Sequence, residues 1–372
     1  MSAYLKRREK IYEWMIQEEI ALVMIEDREG YRNSSLRWLC GQPGDAVLFL
    51  AASKQSLLVP WDINIGMLYA EADALVPYAE FGRQPVRALK GAIEHLKISK
   101  GSRVEIPGTT PYPRFLQYVE EVQDFDIICR EEGVWTELEK SRAVKDADEI
   151  NIYRKLAAQT DEMIKLVEKN VQDGTLKSEM DIALFIESES RKLGCDGTGI
   201  DIIAAGPSRS FGIHAVPPYT AEAFGGNGFS ILDFGLKYAG YTTDVTLTFA
   251  RDPISKAQEK MLSLVEKAYK LAISMVKGGA YAKDIAIAVD TYFARSKKVM
   301  PHGLGHGIGL DGHEAPWFWS RASNEWVLEP GMIIAIEPAL YDPVHGGCRL
   351  ENNILITDKG AEILTDARII RL

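Results

Sequence analysis

Four carboxylates and one imidazole in the second half of the chain are of the types that bind metal ions. In chain order they are Asp233, Asp244, His306, Glu337 and Glu351. Oxygen-rich ligation with a single histidine suits divalent ions such as Mn, Co, Zn or Fe. Two such ions in one site can activate a water molecule and stabilise both oxygens of a hydrolytic transition state. These residues therefore predict a hydrolase that uses two metal ions.

The two aspartates lie in segments that read as the strands of a hairpin. The sequence predicts strands at 229–235 and 240–250, and Asp233 and Asp244 are equidistant from a turn centred between 238 and 239. In a symmetric hairpin these side chains face each other, with Cβ atoms about 5 Å apart. Two like charges so close destabilise a sheet unless a cation lies between them.

The two glutamates repeat this arrangement on a second predicted hairpin. Strands are predicted at 332–340 and 348–357, and Glu337 and Glu351 are equidistant from Val344. One buried acid pair could be a protonated dyad. Two pairs on two equivalent hairpins are hard to explain without metal, because buried charges are paired or metal-bound.

The elements around the hairpins also occur twice. Helices are predicted at 145–171 and 176–193 before the first hairpin, and at 255–277 and 281–298 before the second. Each helix shows the apolar periodicity of an amphipathic helix. The order helix, helix, hairpin predicts a duplicated α+β unit, and we assign it to a domain at 136–372.

The remaining residues, 1–135, alternate helical and extended patterns and predict a smaller α/β domain. Its expected helices and strands lie at 4–19, 20–25, 46–52, 56–60, 83–97 and 103–106.

Four of the six histidines occur in two short motifs. His302, His306 and His313 lie in PHGLGHGIGLDGHEAP, and His214 lies in FGIHAVPP. The glycines of the first motif would let the backbone come close to a ligand. The motif is neither a phosphate-binding P-loop nor the HExxH signature of single-zinc proteases.

Composition excludes several classes of partner. The net charge is −10, whereas nucleic-acid binding needs a basic face. No apolar run is long enough to span a membrane, and the first residues lack a secretory signal pattern. The four cysteines are scattered and read as reduced thiols. We therefore expect a cytoplasmic protein that binds neither nucleic acid nor membrane.

Three longer motifs resemble one known family. They are LDFGLKYAGYTTDVTLTF, HGLGHGIGLDGHEAP and IEPALYDPVHGGCRLEN. They resemble the pita-bread-fold metallopeptidases, which include methionine aminopeptidase, aminopeptidase P and Xaa-Pro dipeptidase (prolidase). The resemblance covers roughly residues 135–372 and extends more weakly to LRWLCG near the N-terminus. A domain in that position favours the prolidase, aminopeptidase P and creatinase branch.

The resemblance implies a fold, an activity and an assembly. The fold would be α+β, with a C-terminal pita-bread domain and a smaller N-terminal α/β creatinase-like domain. The activity would be hydrolysis of the Xaa-Pro bond of dipeptides, or of the N-terminal Xaa-Pro bond of short peptides. The cofactors would be two divalent metal ions, Mn or Co first, with Zn or Fe also suited. A small peptide would be the substrate, and the protein would be a homodimer.

The four acids and the one imidazole of the opening set match the family's metal ligands. By this match Asp244 and Glu351 each touch both ions. Glu337 matches the residue that handles the proton of the attacking water.

Four more residues match substrate-binding or catalytic positions. His313 matches the histidine at the scissile carbonyl, and His214 the histidine near the scissile nitrogen. His302 matches a histidine typical of Xaa-Pro-cleaving members. Arg349 is two residues before Glu351 on the same strand and could orient it by a bidentate pair.

Substrate choice stays open at this stage because three positions depart from the common family pattern: Leu247, Gly312 and Asn352. One alternative is a metal-dependent hydrolase or lyase of a small non-peptide metabolite on the same scaffold. Others are a non-catalytic peptide-binding module, which characteristically loses ligands, and a purely structural role. An apolar wall for a proline ring could come from four aromatic residues: Phe211, Tyr219, Trp317 and Trp319.

Overall fold

A computed structural model describes residues 2–372, and the chain divides into two compact units. The first unit ends at Arg142 and the second begins at Ala143. The predicted boundary between 135 and 136 falls inside a helix, Val134–Ala143. Among the described residues no helix is both long and apolar enough to cross a membrane.

The first unit is built on one mixed sheet with helices. Its strands are β1 (Ile20–Asp27), β2 (Ala46–Ala51), β3 (Gln55–Pro60), β4 (Ala74–Leu75), β5 (Arg103–Glu105) and β6 (Asp126–Ile128), in the order β4-β3-β2-β1-β5-β6. Its helices are α1 (Ala3–Gln17), α2 (Ser34–Cys40), α3 (Ile63–Tyr69), α4 (Pro85–His95), α5 (Tyr112–Glu121) and α6 (Val134–Ala143), with a short 3-10 helix at Tyr78–Phe81. The central strands β1, β2 and β3 are antiparallel and almost wholly buried.

The second unit contains four long helices and four sheets. The helices are α7 (Ala147–Gln172), α8 (Glu179–Lys192), α9 (Lys256–Met275) and α10 (Ala282–Ala294). The strands up to the first hairpin are β7 (Gly197–Thr198), β8 (Ile203–Ala205), β9 (Gly228–Phe234), β10 (Leu236–Tyr238), β11 (Tyr241–Thr242) and β12 (Val245–Arg251). The later strands are β13 (Gly305–Gly307), β14 (Glu314–Trp317), β15 (Ile333–Ile336), β16 (Ala339–Asp342), β17 (Gly346–Arg349), β18 (Asn352–Thr357), β19 (Gly360–Ile363) and β20 (Ile369–Arg371).

The predicted duplication is present. Helices α7 and α8 precede the hairpin strands β9 and β12, and α9 and α10 precede β15 and β18. Helices α7, α8 and α9 each begin with a capping box, in which the cap side chain and the third helical residue satisfy each other's backbone N–H groups. The apolar faces of the helices pack against the hairpins in two buried clusters.

The first hairpin has a different register from the predicted one. Asp233 pairs with Thr246, not with Asp244. The turn is formed by Ala239 and Gly240, both with positive φ, as in the tight turn that suits a two-residue hairpin loop. Its centre is one residue later than predicted, which shifts the pairing by two. Asp233 and Asp244 are therefore diagonal neighbours rather than directly opposed.

The second hairpin has the predicted register. Ala339 pairs with Arg349 and Ile336 with Asn352, so both pairs are symmetric about Val344. Each predicted strand is nevertheless broken in two, at Glu337–Pro338 and at Leu350–Glu351.

A single β-bridge joins the two hairpins. The Thr246 N–H donates to the Glu351 carbonyl at 3.4 Å, and the Glu351 N–H donates to the Thr246 carbonyl at 3.2 Å. Because Glu351 lies at a break in its own hairpin, its backbone groups are available for this pairing. The bridge brings the acids of both hairpins to one place.

Asp244 lies in the break between β11 and β12, where an amide side chain forms hydrogen bonds with its backbone. Asn353 Nδ2 donates to the Asp244 carbonyl at 2.7 Å, and Asn353 Oδ1 accepts from the Asp244 N–H at 3.1 Å. The Tyr153 hydroxyl, which donates to the Thr242 carbonyl at 2.6 Å, lies 3.3 Å from the same Oδ1. Asn353 thus replaces the ladder hydrogen bonds that Asp244 lacks.

We predict that Asn353→Ala lowers the free energy of unfolding by roughly 2–4 kcal/mol, because two buried backbone groups of Asp244 lose their partners. Urea denaturation measures the change. Asn151→Ala, on the exposed face of α7, is the matched control and should change stability little. Equal stability of the two variants would contradict the anchoring role.

Candidate metal centre and active site

The structure brings the five predicted ligands together. His306 Nε2 lies 3.8 Å from Asp244 Oδ2, 3.9 Å from Glu337 Oε1 and 3.8 Å from Glu351 Oε1. Asp233, at the end of β9, offers an oxygen within 4.8 Å of oxygens from Asp244 and Glu351. The set is drawn from β9, β13 and the three strand breaks.

The ligand atoms form overlapping groups that could each hold an ion. One group is His306, Glu337 and Glu351, and another is Asp233, Asp244 and Glu351. A third combines Asp244 and His306 with His313. Asp244 and Glu351 each occur in two groups, so these carboxylates could bridge two neighbouring ions.

Three atoms of the cluster are buried without a hydrogen-bond partner among the described residues. They are Asp233 Oδ1, His306 Nε2 and Glu351 Oε1. His306 Nδ1 lies 2.9 Å from the Gly307 carbonyl, and as a donor there it leaves the Nε2 lone pair facing the carboxylates. Unpartnered buried polar atoms are costly, and a divalent cation would satisfy all three.

The electrostatics of the cluster reflect crowded negative charge. Burial, followed by repulsion from Glu351 and other acids, raises the pKa of Asp244 and of Glu337 well above their usual values. Burial and then Asp233 raise the pKa of Glu351 to about 7. Burial and then His313 lower the pKa of His306 to about 3, so this imidazole is neutral at pH 7 and able to ligate.

Arg349 connects two of the predicted ligands, Asp233 and Glu351, through hydrogen bonds. Its Nη2 donates to Asp233 Oδ2 at 2.5 Å and its Nε donates to Thr246 Oγ1 at 2.9 Å. Thr246 in turn donates to Glu351 Oε2 at 2.7 Å. The expected bidentate pair between Arg349 and Glu351 is therefore wrong. The guanidinium contacts Asp233 directly and Glu351 only through the threonine.

The remaining Nη1 of Arg349 extends the network toward His302. It donates to the Tyr341 hydroxyl at 2.8 Å and to the Ile213 carbonyl at 2.9 Å. Tyr341 lies 3.1 Å from His302 Nε2, and His302 Nδ1 lies 2.8 Å from the Gly303 carbonyl. With Nδ1 donating to that carbonyl, Nε2 accepts from the tyrosine.

Three histidines surround the cluster. His302 Nδ1 is 3.7 Å from Glu337 Oε2, and burial lowers its pKa to about 4. His313 packs edge-on against His306, and its Nε2 is 4.0 Å from Asp244 Oδ2. His214 is exposed. All three outer histidines line the same cavity as the acids.

The glycines beside His306 make room for neighbouring strands rather than for a ligand. A Cβ at Gly305 would collide with the Ala335 carbonyl, and one at Gly307 with the Ala315 carbonyl. Strand β13 pairs with β14 on one side and β15 on the other. The glycines thus fix His306 by close strand packing.

The cavity has a volume of about 610 Å³. Its apolar wall includes Ile200, Ile203, Ile213 and Val216. The expected aromatic wall is wrong, since these four residues are not among those that line the cavity: Phe211, Tyr219, Trp317 and Trp319. Trp317 and Trp319 stack on each other instead, with ring centroids 5.2 Å apart.

Three residues of the site were missed from sequence: Thr246, Tyr341 and Asn353. Thr246 and Tyr341 follow the spacing of same-face neighbours, two residues after Asp244 and four after Glu337, and this signal could have found them. Nothing local distinguishes Asn353, because its role depends on contact with another hairpin.

The chain has a duplicated helix–helix–hairpin unit and a buried carboxylate–histidine cluster. The resemblance to pita-bread metallopeptidases predicts both features. The profile of metallopeptidase family M24 matches residues 151–358. The chain belongs to this family. The predicted family resemblance, fold class and enzyme class are confirmed.

Two relatives by sequence are uncharacterized peptidases. That of Bacillus subtilis is 30% identical over 256 residues, which cover 68% of this chain and 70% of the relative. That of Methanocaldococcus jannaschii is 31% identical over 258 residues, with the same shares, 68% and 70%.

Solved structures share the fold along the whole chain. The Xaa-Pro dipeptidase of Bacillus anthracis has a TM-score of 0.84 at 24% identity, covering 99% of this chain and 100% of its own. The prolidase of Pyrococcus horikoshii has a TM-score of 0.81 at 24% identity, covering 97% and 98%. The X-Pro aminopeptidase of Thermotoga maritima has a TM-score of 0.83 at 22% identity, covering 98% and 99%.

We predict that the metal-free protein becomes less stable as the pH rises from about 4.5 to about 7. The pKa of Glu351 is raised from 4.5 to about 7, so the folded protein holds a proton that the unfolded chain releases in this window. The contribution of Glu351 to the free energy of unfolding is therefore fully present below pH about 4.5. It is lost as the pH rises to about 7, and it amounts to roughly 1–3 kcal/mol.

Thermal unfolding of chelator-treated protein across this range measures the effect. Glu351→Gln should flatten the decline, because an amide does not titrate. Asp358→Asn, an exposed change in the β18–β19 turn, should follow the wild type. A decline of the same size in Glu351→Gln would count against this assignment.

Proposed function

We propose that the protein is a dinuclear-metal peptidase that hydrolyses the Xaa-Pro bond of dipeptides, or the N-terminal Xaa-Pro bond of short peptides. The observation that carries the proposal is the trio of buried, unpartnered ligand atoms on Asp233, His306 and Glu351. They lie in overlapping ligand groups, and Asp233 and Glu351 also line the cavity of about 610 Å³. The names of the structural neighbours, a prolidase, an Xaa-Pro dipeptidase and an X-Pro aminopeptidase, support the choice of bond.

The five ligands would divide between two ions. Asp233, Asp244 and Glu351 would hold one, and Asp244, His306, Glu337 and Glu351 the other, in keeping with the overlapping groups. Bound divalent ions supply an activated water and Lewis-acid stabilisation of the developing oxyanion. Mn or Co is the proposed native metal, with Zn or Fe as further candidates for this oxygen-rich set.

Glu337 is the proposed proton carrier. A positioned carboxylate can take and return a proton during hydrolysis, and Glu337 lines the cavity beside His302. In this role it accepts the proton of the attacking water and passes it to the leaving nitrogen. Its side chain is 19% exposed, more than the other acids of the cluster, so it can reach the substrate.

The outer histidines are proposed to bind the scissile bond. His313, 58% exposed beside Asp244, is in a position to donate to the carbonyl oxygen as negative charge develops there. His214 would lie near the scissile nitrogen. His302, held neutral by burial, would contact substrate beside Glu337 while Tyr341 fixes its ring. Arg349 would act on substrate binding through Tyr341 and Ile213.

A proline after the scissile bond has no N–H to satisfy. The apolar stretch of Ile200, Ile203 and Ile213 is suited to a pyrrolidine ring, because it offers area without requiring hydrogen bonds. This reading replaces the aromatic wall expected from sequence.

We further propose a cytoplasmic homodimer. All four cysteines are free thiols, which suits a reducing compartment. Met67, Leu68 and Tyr69 on α3 are exposed, an apolar patch of the kind found at protein interfaces. Light scattering in solution should give twice the chain mass, and a monomer would contradict the assembly.

We predict two divalent ions per chain for the wild type and loss of both in Asp244→Asn, because this carboxylate belongs to both ion sites. Metal analysis after dialysis measures the stoichiometry. Asp358→Asn removes the same charge elsewhere and should keep both ions. Full occupancy in Asp244→Asn would remove the bridging role from Asp244.

We predict metal-dependent cleavage of Met-Pro and Leu-Pro, with a fall of at least about 100-fold in kcat for Glu337→Ala, because general acid–base groups contribute about 10²–10⁴-fold. The panel also contains Ala-Pro-Ala, Met-Ala-Ser and creatine, tested on metal-free and metal-loaded enzyme.

The pattern of cleavage separates the possible activities. Cleavage of Xaa-Pro dipeptides alone establishes a dipeptidase, and cleavage of Ala-Pro-Ala an aminopeptidase. If two ions bind and no peptide is cut, the peptidase proposal fails. A hydrolase or lyase of a small metabolite then becomes the leading function.

A further inference from the structure

The cavity wall that carries His214 has no regular secondary structure. Residues 206–220, the His214 loop, contain neither helix nor strand and connect to β8 at one end. The loop supplies Ile213, His214, Ala215, Val216 and Pro218 to the cavity. Its Ile213 carbonyl also accepts a hydrogen bond from Arg349. The conformation of the loop therefore depends on contacts with residues outside it.

One buried carboxylate ties the two ends of the loop together. Glu179, in the first turn of α8, has a side chain with 0% exposure. Its Oε1 accepts from the Gly206 N–H at 2.7 Å. Its Oε2 accepts from the Thr220 N–H at 2.7 Å and from the Thr220 hydroxyl at 2.7 Å.

Arg209 extends this clamp into the loop. Its Nε is 3.4 Å from Glu179 Oε1, and its Nη2 donates to the Pro217 carbonyl. The arginine thus connects Glu179 to the residues immediately after His214. One carboxylate and one guanidinium together hold the start, the middle and the end of the loop.

The charge of Glu179 is needed for this geometry. A buried carboxylate is costly unless every oxygen is hydrogen-bonded, and here both oxygens are, with a cation beside them. Its position at a helix N-terminus favours negative charge further. An amide has one acceptor oxygen, so a glutamine could satisfy one end of the loop and would present N–H groups to donors at the other.

We propose that Glu179 is a positioning residue for peptide hydrolysis. It fixes the conformation of the His214 loop. Through the Ile213 carbonyl it also fixes the orientation of Arg349 beside Asp233. Glu179 lies outside the cavity lining and touches no metal ligand in the described contacts. The inference rests on the proposed function, in which His214 binds substrate.

The first test is hydrogen exchange on the full-length, metal-loaded protein. Glu179→Gln should speed exchange of the amides in 206–220, because protection there depends on the tether. The matched control is Glu105→Gln in the first unit. Glu105 is also a buried carboxylate, accepting from the Val134 N–H at 2.6 Å and from Arg130 Nη2 at 3.0 Å. It should leave the His214 loop unchanged.

The second test is kinetic. Glu179→Gln should lower kcat/KM for Met-Pro by about 10- to 100-fold, the loss expected when a substrate-positioning group shifts by about 1 Å. Metal stoichiometry should stay at two. In a His214→Ala background the same change should have a much smaller effect, because coupled residues are non-additive. A purely structural defect would act equally in both backgrounds.

Each outcome decides a separate point. Unchanged exchange in 206–220, or equal kinetic effects with and without His214, overturns the positioning role. If Glu179→Gln fails to fold, Thr220→Val removes the hydroxyl contacts with Glu179 and with the Glu222 N–H, and it should give smaller changes in the same direction. If the wild type cleaves no peptide, the proposed function fails, and the exchange comparison still decides whether Glu179 holds the loop.

Discussion

Mutual repulsion among four clustered carboxylates is the main constraint on the structure of the second unit. The pKa values of Asp244, Glu337 and Glu351 rise with burial and with the charge of neighbouring acids, so without a cation the folded state keeps these three partly protonated. The backbone nevertheless departs from regular strand pairing at several positions, and these departures bring the acids together. Asp244, Glu337 and Glu351 all lie at strand breaks, where the chain leaves regular pairing. Positive charge at the centre would stabilise the ionised form of this arrangement.

Part of that charge comes from the protein, and its placement leaves a defined opening. Arg349 neutralises one oxygen of Asp233, and Thr246 satisfies one oxygen of Glu351. The other oxygen of each remains without a partner, and that of Glu351 lies 3.8 Å from His306 Nε2. The surrounding hydrogen bonds therefore select which lone pairs are presented to a metal ion.

Sequence reasoning identified the cluster because its signal is local. Asp233 and Glu337 each interrupt an apolar run, and the second hairpin kept its expected symmetry about Val344. The predicted register of the first hairpin was wrong because the turn was placed one residue too early. Ala239 and Gly240, rather than Tyr238 and Ala239, form the turn. The aromatic wall and the partner of Arg349 were missed for another reason. They depend on how separate elements pack, and residue spacing within one element carries no information about that.

The bridge between Thr246 and Glu351 couples ion binding to the folding of the chain. It lies at the seam between two similar halves, one contributing the aspartates and the other the histidine and glutamates. The group of Asp233, Asp244 and Glu351 draws on both halves, whereas His306, Glu337 and Glu351 all come from the second. Capture of an ion by the first group therefore requires that both halves have folded and docked.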